Sequence, residues 1–366
     1  MHKRKKILSI VTCAVLIMTF SSCSHKIEDD QQNSNSSSVV TTTTKKVTKT
    51  KAKKSAKKNQ LEYNNLTGKY DVSKKAKGKR PVAIMVNNID ASLPQYGIYK
   101  ADVLFECPVE GGITRLMAMY DDYTKVPSVC SVRSCRYYYA LFASSFDAVY
   151  LHWGIDKKVA DNMLTKLKID HVDGNKNTTL FKRDENRLNN YALEHTGYCD
   201  GALIPKVLKD SKIRTDIKKD YNKPAFNFLD KYSAISKNKC KNITVNFSDY
   251  YSSAFTYDSK AKNYKKNRNG EKHIDASNNK QLVYTNVIVL VSKEIKVINN
   301  DNGLLSVNWK GGSGYCFSGG AVKKIKWSKD SEFAKIKLTD EKGNALKINK
   351  GKTYIGVTKK GMVSYS

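Results

Sequence analysis

Between residues 24 and 60 the chain has almost nothing to bury. The stretch runs QQNSNSSSVVTTTTKKVTKTKAKKSAKKN, and Val39, Val40 and Val47 are among its few apolar side chains. A segment of this composition cannot withdraw enough surface from water to offset the entropy lost on ordering. It is expected to be a disordered Lys/Ser/Thr-rich tether, placed at 23–78, and any core must form from the residues beyond it. There the composition is ordinary for a globular body, with 40% hydrophobic residues overall, and the length allows about two folded regions.

Ahead of the tether, Lys3, Arg4, Lys5 and Lys6 precede the run ILSIVTCAVLIMTF, from Ile7 to Phe20. A basic start followed by a short apolar run reads as an export signal, too short for a membrane span. Ser21, Ser22 and Cys23 follow directly. Small residues and then a cysteine have the form of a bacterial lipoprotein signal, which predicts a signal peptide at 1–22 and lipidation of Cys23. Several acyl chains on one cysteine would anchor the chain durably, whereas one binds only reversibly. The expected address is the cell membrane, lipid-anchored on its extracytoplasmic face. The alternative is an ordinary secretory signal, with Cys23 incidental.

The formal net charge is +31, and it is unevenly spread: fourteen Lys and Arg lie between Lys45 and Arg80, against Glu62 and Asp71. Each such charge is worth about 1 kcal/mol beside an anionic surface. Expected partners are the membrane, through the lipid, together with an anionic wall polymer or peptidoglycan, or a membrane-bound protein. A solvated, self-repelling linker is the plainer reading. Export argues against nucleic acid as partner, and the aromatic-and-basic signatures of RNA binding are missing. Six cysteines fall in the folded part: Cys107, Cys130, Cys135, Cys199, Cys240 and Cys316. Outside the cytoplasm they could form disulfides or remain free thiols. No metal or cofactor is expected, because no His joins Cys or carboxylates at ligand spacing.

From Arg80 the pattern changes. VAIMVNN, ADVLFECPVEGG, ITRLMAMYDD and DAVYLHWG read as strands, and YYYALFASSF and VADNMLTKL as helices, with Tyr138, Leu141, Phe142 and Phe146 on the apolar face of the first. The expected class is α/β (α+β), a mixed β-sheet layered sandwich with helices over 79–235. It is followed at 236–366 by a mostly antiparallel β second domain, built from runs such as NITVNFS, YTNVIVLVS and KTYIGVT. In that second part the tyrosines and tryptophans read as packing residues, and Lys262, Lys265, Lys266 and Arg268 as a solvated basic loop.

Arg80 to Asn88 (RPVAIMVNN), Ala101-Asp102 through Glu106, Glu110 to Arg115 (EGGITR), Val132-Arg133-Ser134 with Arg136, and His152-Trp153-Gly154 stand in an order and spacing that resembles the YerB-like bacterial lipoproteins. Phe181 to Asp184 and His195 are similar to later blocks of that family. The resemblance spans about 79–360. It implies an extracytoplasmic lipoprotein with two conjoined domains and supplies no reaction. Cys130, Ser131, Cys135 and Tyr137 depart from the family's Gly, Pro, Ala and Pro, so a tight turn is in doubt and a local cross-link could replace it.

Several polar residues fall at strand ends or in Gly-bounded loops: Asn87, Asn88, Glu106, Glu110, Gly111, Gly112, Thr114, Arg115, Arg133, Ser134, Arg136 and His152. Ligands bind at the carboxyl ends of strands in such sheets, glycine permits close backbone approach, and arginine recognises carboxylate or phosphate through paired donors. These twelve are the predicted ligand-binding residues. A buried Glu–Arg network that fixes the sheet is the competing reading. Glu106 and Glu110 could form a hydrolase pair on envelope glycan only if the chain bends. Such carboxylates stand about 5–9.5 Å apart, and four residues of straight strand span about 13 Å. Ser134 with His152 lacks a G-x-S-x-G elbow, and His195 reads as a polar core or cap residue. No catalytic residue is assigned.

Overall fold

The computed structural model describes residues 61–298 and 303–366. The expected signal peptide, Cys23 and the tether as far as residue 60 lie outside the described residues. The expected tether did not stop soon enough. From residue 61 the chain is folded, with a small strand pair at Glu62–Tyr63 and Tyr70–Val72 and a helical turn at Lys74–Ala76. Leu66, Val72 and Ala76 are buried there, and those few apolar side chains are enough to dock a lysine-rich segment.

Fourteen strands carry the architecture: β1 (Val82–Asn87), β2 (Val103–Pro108), β3 (Thr114–Tyr120), β4 (Val149–His152), β5 (His171–Asp173), β6 (Asn242–Ser248), β7 (Tyr251–Asp258), β8 (Asn263–Arg268), β9 (Asn286–Ser292), β10 (Gly311–Ser318), β11 (Ala321–Ser328), β12 (Lys337–Asp340), β13 (Thr353–Thr358) and β14 (Val363–Tyr365). Among the described residues the α-helices are α1 (Tyr137–Ser144), α2 (Asn162–Leu167), α3 (Glu185–Leu188) and α4 (Ile204–Asp210). Ten strands form one mixed sheet in the order β12-β11-β10-β9-β13-β2-β3-β1-β4-β5. Strands from both sequence regions enter it. β13 runs parallel to β9 on one side and to β2 on the other. A second, antiparallel sheet holds β8, β7, β6 and β14.

Both faces of the ten-stranded sheet are covered, which explains why its central strands read as unbroken apolar runs. Alternate residues serve opposite cores. Ala83, Met85, Phe105 and Met117 pack with Tyr138, Leu141 and Phe142 of α1. Val82, Ile84, Leu104 and Leu116 face Val245 and Phe255 of the second sheet and Ile204 and Val207 of α4. Each large apolar side chain so buried contributes about 1.5–3 kcal/mol. α1 is buried on every side, so the single apolar face expected of it became an enclosed helix. All six described cysteines are buried free thiols, and no cross-link joins Cys130 to Cys135. The fold is α+β with a β-rich second part.

Candidate functional site

β1, β2, β4, β5, β9 and β13 all run in one direction, through the parallel pairings of β1 with β4, β4 with β5, β13 with β2 and β9 with β13, and the shared antiparallel partner β3. Their carboxyl ends share one edge of the sheet. Asn87 ends β1 and Asn88 follows it, Glu110 follows β2, and His152 ends β4, so the predicted residues gather along this edge. They do not converge on one cavity.

Glu106 points between the two sheets and has no exposed surface. One carboxylate oxygen accepts from Thr114 Oγ1 at 2.8 Å and Asn88 Nδ2 at 3.1 Å. The other accepts from Ser253 Oγ at 2.8 Å and the Tyr354 hydroxyl at 2.9 Å, and faces the Lys266 ammonium at 3.4 Å. Lys266 also donates to Ser253 Oγ at 2.8 Å and to His273 Nδ1 at 3.0 Å. The His273 ring therefore carries its proton on Nε2 and gives it to Gln95 Oε1 at 2.9 Å. Gln95 in turn donates to the Asn88 side chain and the Asn87 carbonyl. Burial holds His273 well below the usual imidazole range, so it is neutral. Burial also lowers the Lys266 amine, and Glu106 opposes that shift. Every acceptor direction of Glu106 is used and water is excluded. The arrangement holds two sheets together and gives Glu106 no route to a substrate.

Glu110 behaves differently. It sits in the turn after β2, part exposed, and its carboxylate is gripped by Arg136: Nε donates to Oε2 at 2.8 Å, and a second guanidinium nitrogen meets Oε1. Arg115 approaches the same Oε1 at 3.5 Å and donates to the Ser134 carbonyl at 2.8 Å. Arg115 Nε and Arg133 Nε are buried donors with no partner among the described residues. Burial lowers all three guanidinium groups from their ordinary value, yet arginine stays cationic. Glu110, Ser134, Arg136, Lys157 and Lys158 line an open groove of about 580 Å³. Asp156 lines it too, so Arg136, Lys157 and Lys158 stand against two carboxylates, with Arg115 beside Glu110, and the surplus positive charge suits an anionic group.

The remaining predicted residues divide. Gly111 and Gly112 adopt φ of 73° and 69°, a left-handed turn that L side chains resist. A Cβ on Gly112 would lie 2.4 Å from the Tyr250 hydroxyl, which donates to the Gly111 carbonyl at 2.6 Å. The close approach foreseen for a ligand is made there by Tyr250. Arg133 reaches the Glu194 carbonyl at 3.3 Å. His152 is fully buried, between the Gly154 carbonyl and His171 Nδ1, both at 2.9 Å, and burial pulls it down to about 4. Asn87 Nδ2 meets His195 Nδ1 at 3.0 Å. Ser134 and His152 show no contact with each other. Among the described residues no group of three His, Cys, Asp or Glu could hold a metal ion.

Sequence reading missed Lys266, His273, Gln95 and Arg268. Lys266 and Arg268 are buried, and the expectation of a solvated basic loop was wrong for both. Arg268 Nε donates to the Asn88 carbonyl at 3.0 Å and its NH1 pairs with Asp90 at 2.5 Å. The signal was present: Tyr264, Lys266 and Arg268 recur with the period of two that marks one strand face. Lys262 and Lys265 beside them concealed it.

The family models for the N-terminal and C-terminal domains of a protein of unknown function, DUF3048, match residues 66–214 and 243–355. YerB of Bacillus subtilis, provisionally described as a lipoprotein, is 27% identical over 298 residues, 80% of this chain and 85% of that protein. The crystal structure of the Bacillus subtilis YerB protein superposes with a TM-score of 0.72 at 25% identity, covering 83% of this chain and 99% of that one.

Proposed function

This chain belongs to the DUF3048 family of proteins of unknown function, and from that membership we propose that it is a lipid-anchored binding or scaffold module on the extracytoplasmic face of the cell membrane. Cys23, preceded by Ser21 and Ser22 after an apolar run, is the attachment point. The lipoprotein description of a relative that aligns over most of both chains supports the reading. Among the described residues no helix is long and apolar enough to cross a membrane. In this reading the anchor is lipid on Cys23.

The observation that carries binding over catalysis is the contrast between the two glutamates. Glu106 is enclosed by five donors, while Glu110 and Arg136 stand at an open groove. A glycan hydrolase working through Glu106 and Glu110 needs both carboxylates at the substrate. A binding site needs only the groove with Arg136, Lys157 and Lys158, which would take a carboxylate or phosphate group of an envelope polymer. The mature protein should be retained on purified wall polymer at low salt, and Arg136→Ala should weaken retention about tenfold. Absence of retention by the wild-type protein would remove the binding reading. Palmitate labelling that persists in Cys23→Ala would remove the anchor.

A further inference from the structure

A second concave surface lies farther along the same sheet edge. It is bounded by the carboxyl ends of β9 and β11 and the starts of β10 and β12, and encloses about 910 Å³. Among the described residues that line it, five are lysines, Lys293, Lys310, Lys326, Lys337 and Lys360, and none is acidic. All five are exposed. Among the described residues only Lys337 has a carboxylate at ion-pair distance, Asp330 at 2.5 Å.

The groove is already shaped. The Trp327 indole is buried and donates to the Val291 carbonyl at 3.3 Å, which fixes one wall. Lys329, behind it, donates to the Glu332 and Ala334 carbonyls, both at 2.7 Å, and so holds the turn between β11 and β12. Gathering five ammonium groups around one hollow costs repulsion unless something anionic occupies it.

We propose that this groove binds a flexible linear polymer carrying phosphate groups, with Lys293, Lys326 and Lys360 as its principal contacts. The hollow fits a chain better than a flat surface. Among the described residues none of the exposed large apolar side chains lines it, so they supply no wedge there to enter a membrane. The one aromatic among its described lining residues, Trp327, is buried and offers no platform for stacking bases. Lysine supplies point charges that tolerate a sliding, irregular backbone, in contrast to the planar pairing of the arginine groove. The inference rests on the envelope-binding reading only for where such a polymer would be met.

The test is binding of fluorescent inorganic polyphosphate to the mature chain, followed by anisotropy across a salt series. Lys293→Ala/Lys326→Ala/Lys360→Ala should weaken binding at least tenfold and make the salt slope shallower by about 2, at roughly 0.7 per lost contact. Lys209→Ala/Lys237→Ala/Lys272→Ala removes the same charge from exposed lysines elsewhere and should change affinity less than threefold. Equal loss in both triple variants, or no binding by the wild-type chain at low salt, overturns the proposal. Groove-dependent capture by phosphatidylglycerol vesicles without polyphosphate binding overturns it in favour of a membrane surface. Tighter binding of single-stranded DNA than of polyphosphate overturns it in favour of nucleic acid. If Arg136→Ala abolishes polyphosphate binding while the triple lysine variant in the groove keeps it, the arginine groove is the anion site and this inference fails while the proposed function stands.

Discussion

Glu106 and Lys266 face each other at 3.4 Å with no exposed surface, and the cost of burying either alone decides what a substitution does there. Glu106→Gln keeps the shape but leaves the buried Lys266 ammonium without its counter-charge. It should lower unfolding free energy in urea by about 3 kcal/mol, with retention on wall polymer unchanged for the folded fraction. Glu106→Gln/Lys266→Met removes both charges and should recover much of that loss. Wild-type stability of Glu106→Gln would show that the pair is not held as described. The sequence marked Glu106 as notable and was silent on why. Two of its donors, Ser253 and Tyr354, stand 147 and 248 residues away, and no local pattern encodes such a meeting. Glu110 was more legible, because its partners Arg115 and Arg136 lie within 26 residues.

Elements were easier to read than their joints. Strands β1 to β4 follow from apolar runs bounded by Pro, Gly and Asn, and α1 from its aromatic spacing. What locks α1 to the sheet could not be read, because hydroxyl groups carry no periodicity. The Tyr139 hydroxyl accepts from Cys107 N at 2.8 Å and donates to the Arg115 carbonyl at 2.5 Å, so one atom ties the helix to β2 and β3. Tyr138 donates to the Pro108 carbonyl at 2.7 Å. Tyr139→Phe should cost about 1–2 kcal/mol by leaving the Cys107 N–H unsatisfied, read as a lower urea midpoint at constant m. In the turn between β2 and β3, Gly112→Ala should cost more than 1 kcal/mol. Adding Tyr250→Ala should restore only part, since the clash goes and the left-handed backbone remains.

Across the whole molecule, the first described residues are joined to the sheet by a carboxylate cluster that responds to pH. Asp121 accepts from Asn65 N at 2.7 Å, and Asp102 accepts from Asn64 Nδ2 at 3.1 Å and from Asp121 N at 2.8 Å. Burial pushes Asp102 up to about 6 and Asp121 up to about 7. An acid held above its unfolded value of about 3.9 binds its proton more tightly when folded. The folded state then carries more protons than the unfolded one between about pH 4 and 7, and this contribution to stability falls as pH rises through that window. Asp121→Asn should match the wild-type melting temperature near pH 4 and exceed it by several degrees at pH 8. A difference that stays flat with pH would refute the assignment.

The place of β13 in the sheet bears on how the chain comes into being. Synthesis delivers β2 some 250 residues before the strand that seals its flank, taken from the register of Thr353 with Val103. Until then β2 presents a bare row of amide and carbonyl groups, the kind of ledge on which other polypeptides assemble. A product halted before residue 353 would keep that ledge for good, making it a natural target for holdase chaperones and for proteases that remove unfinished chains.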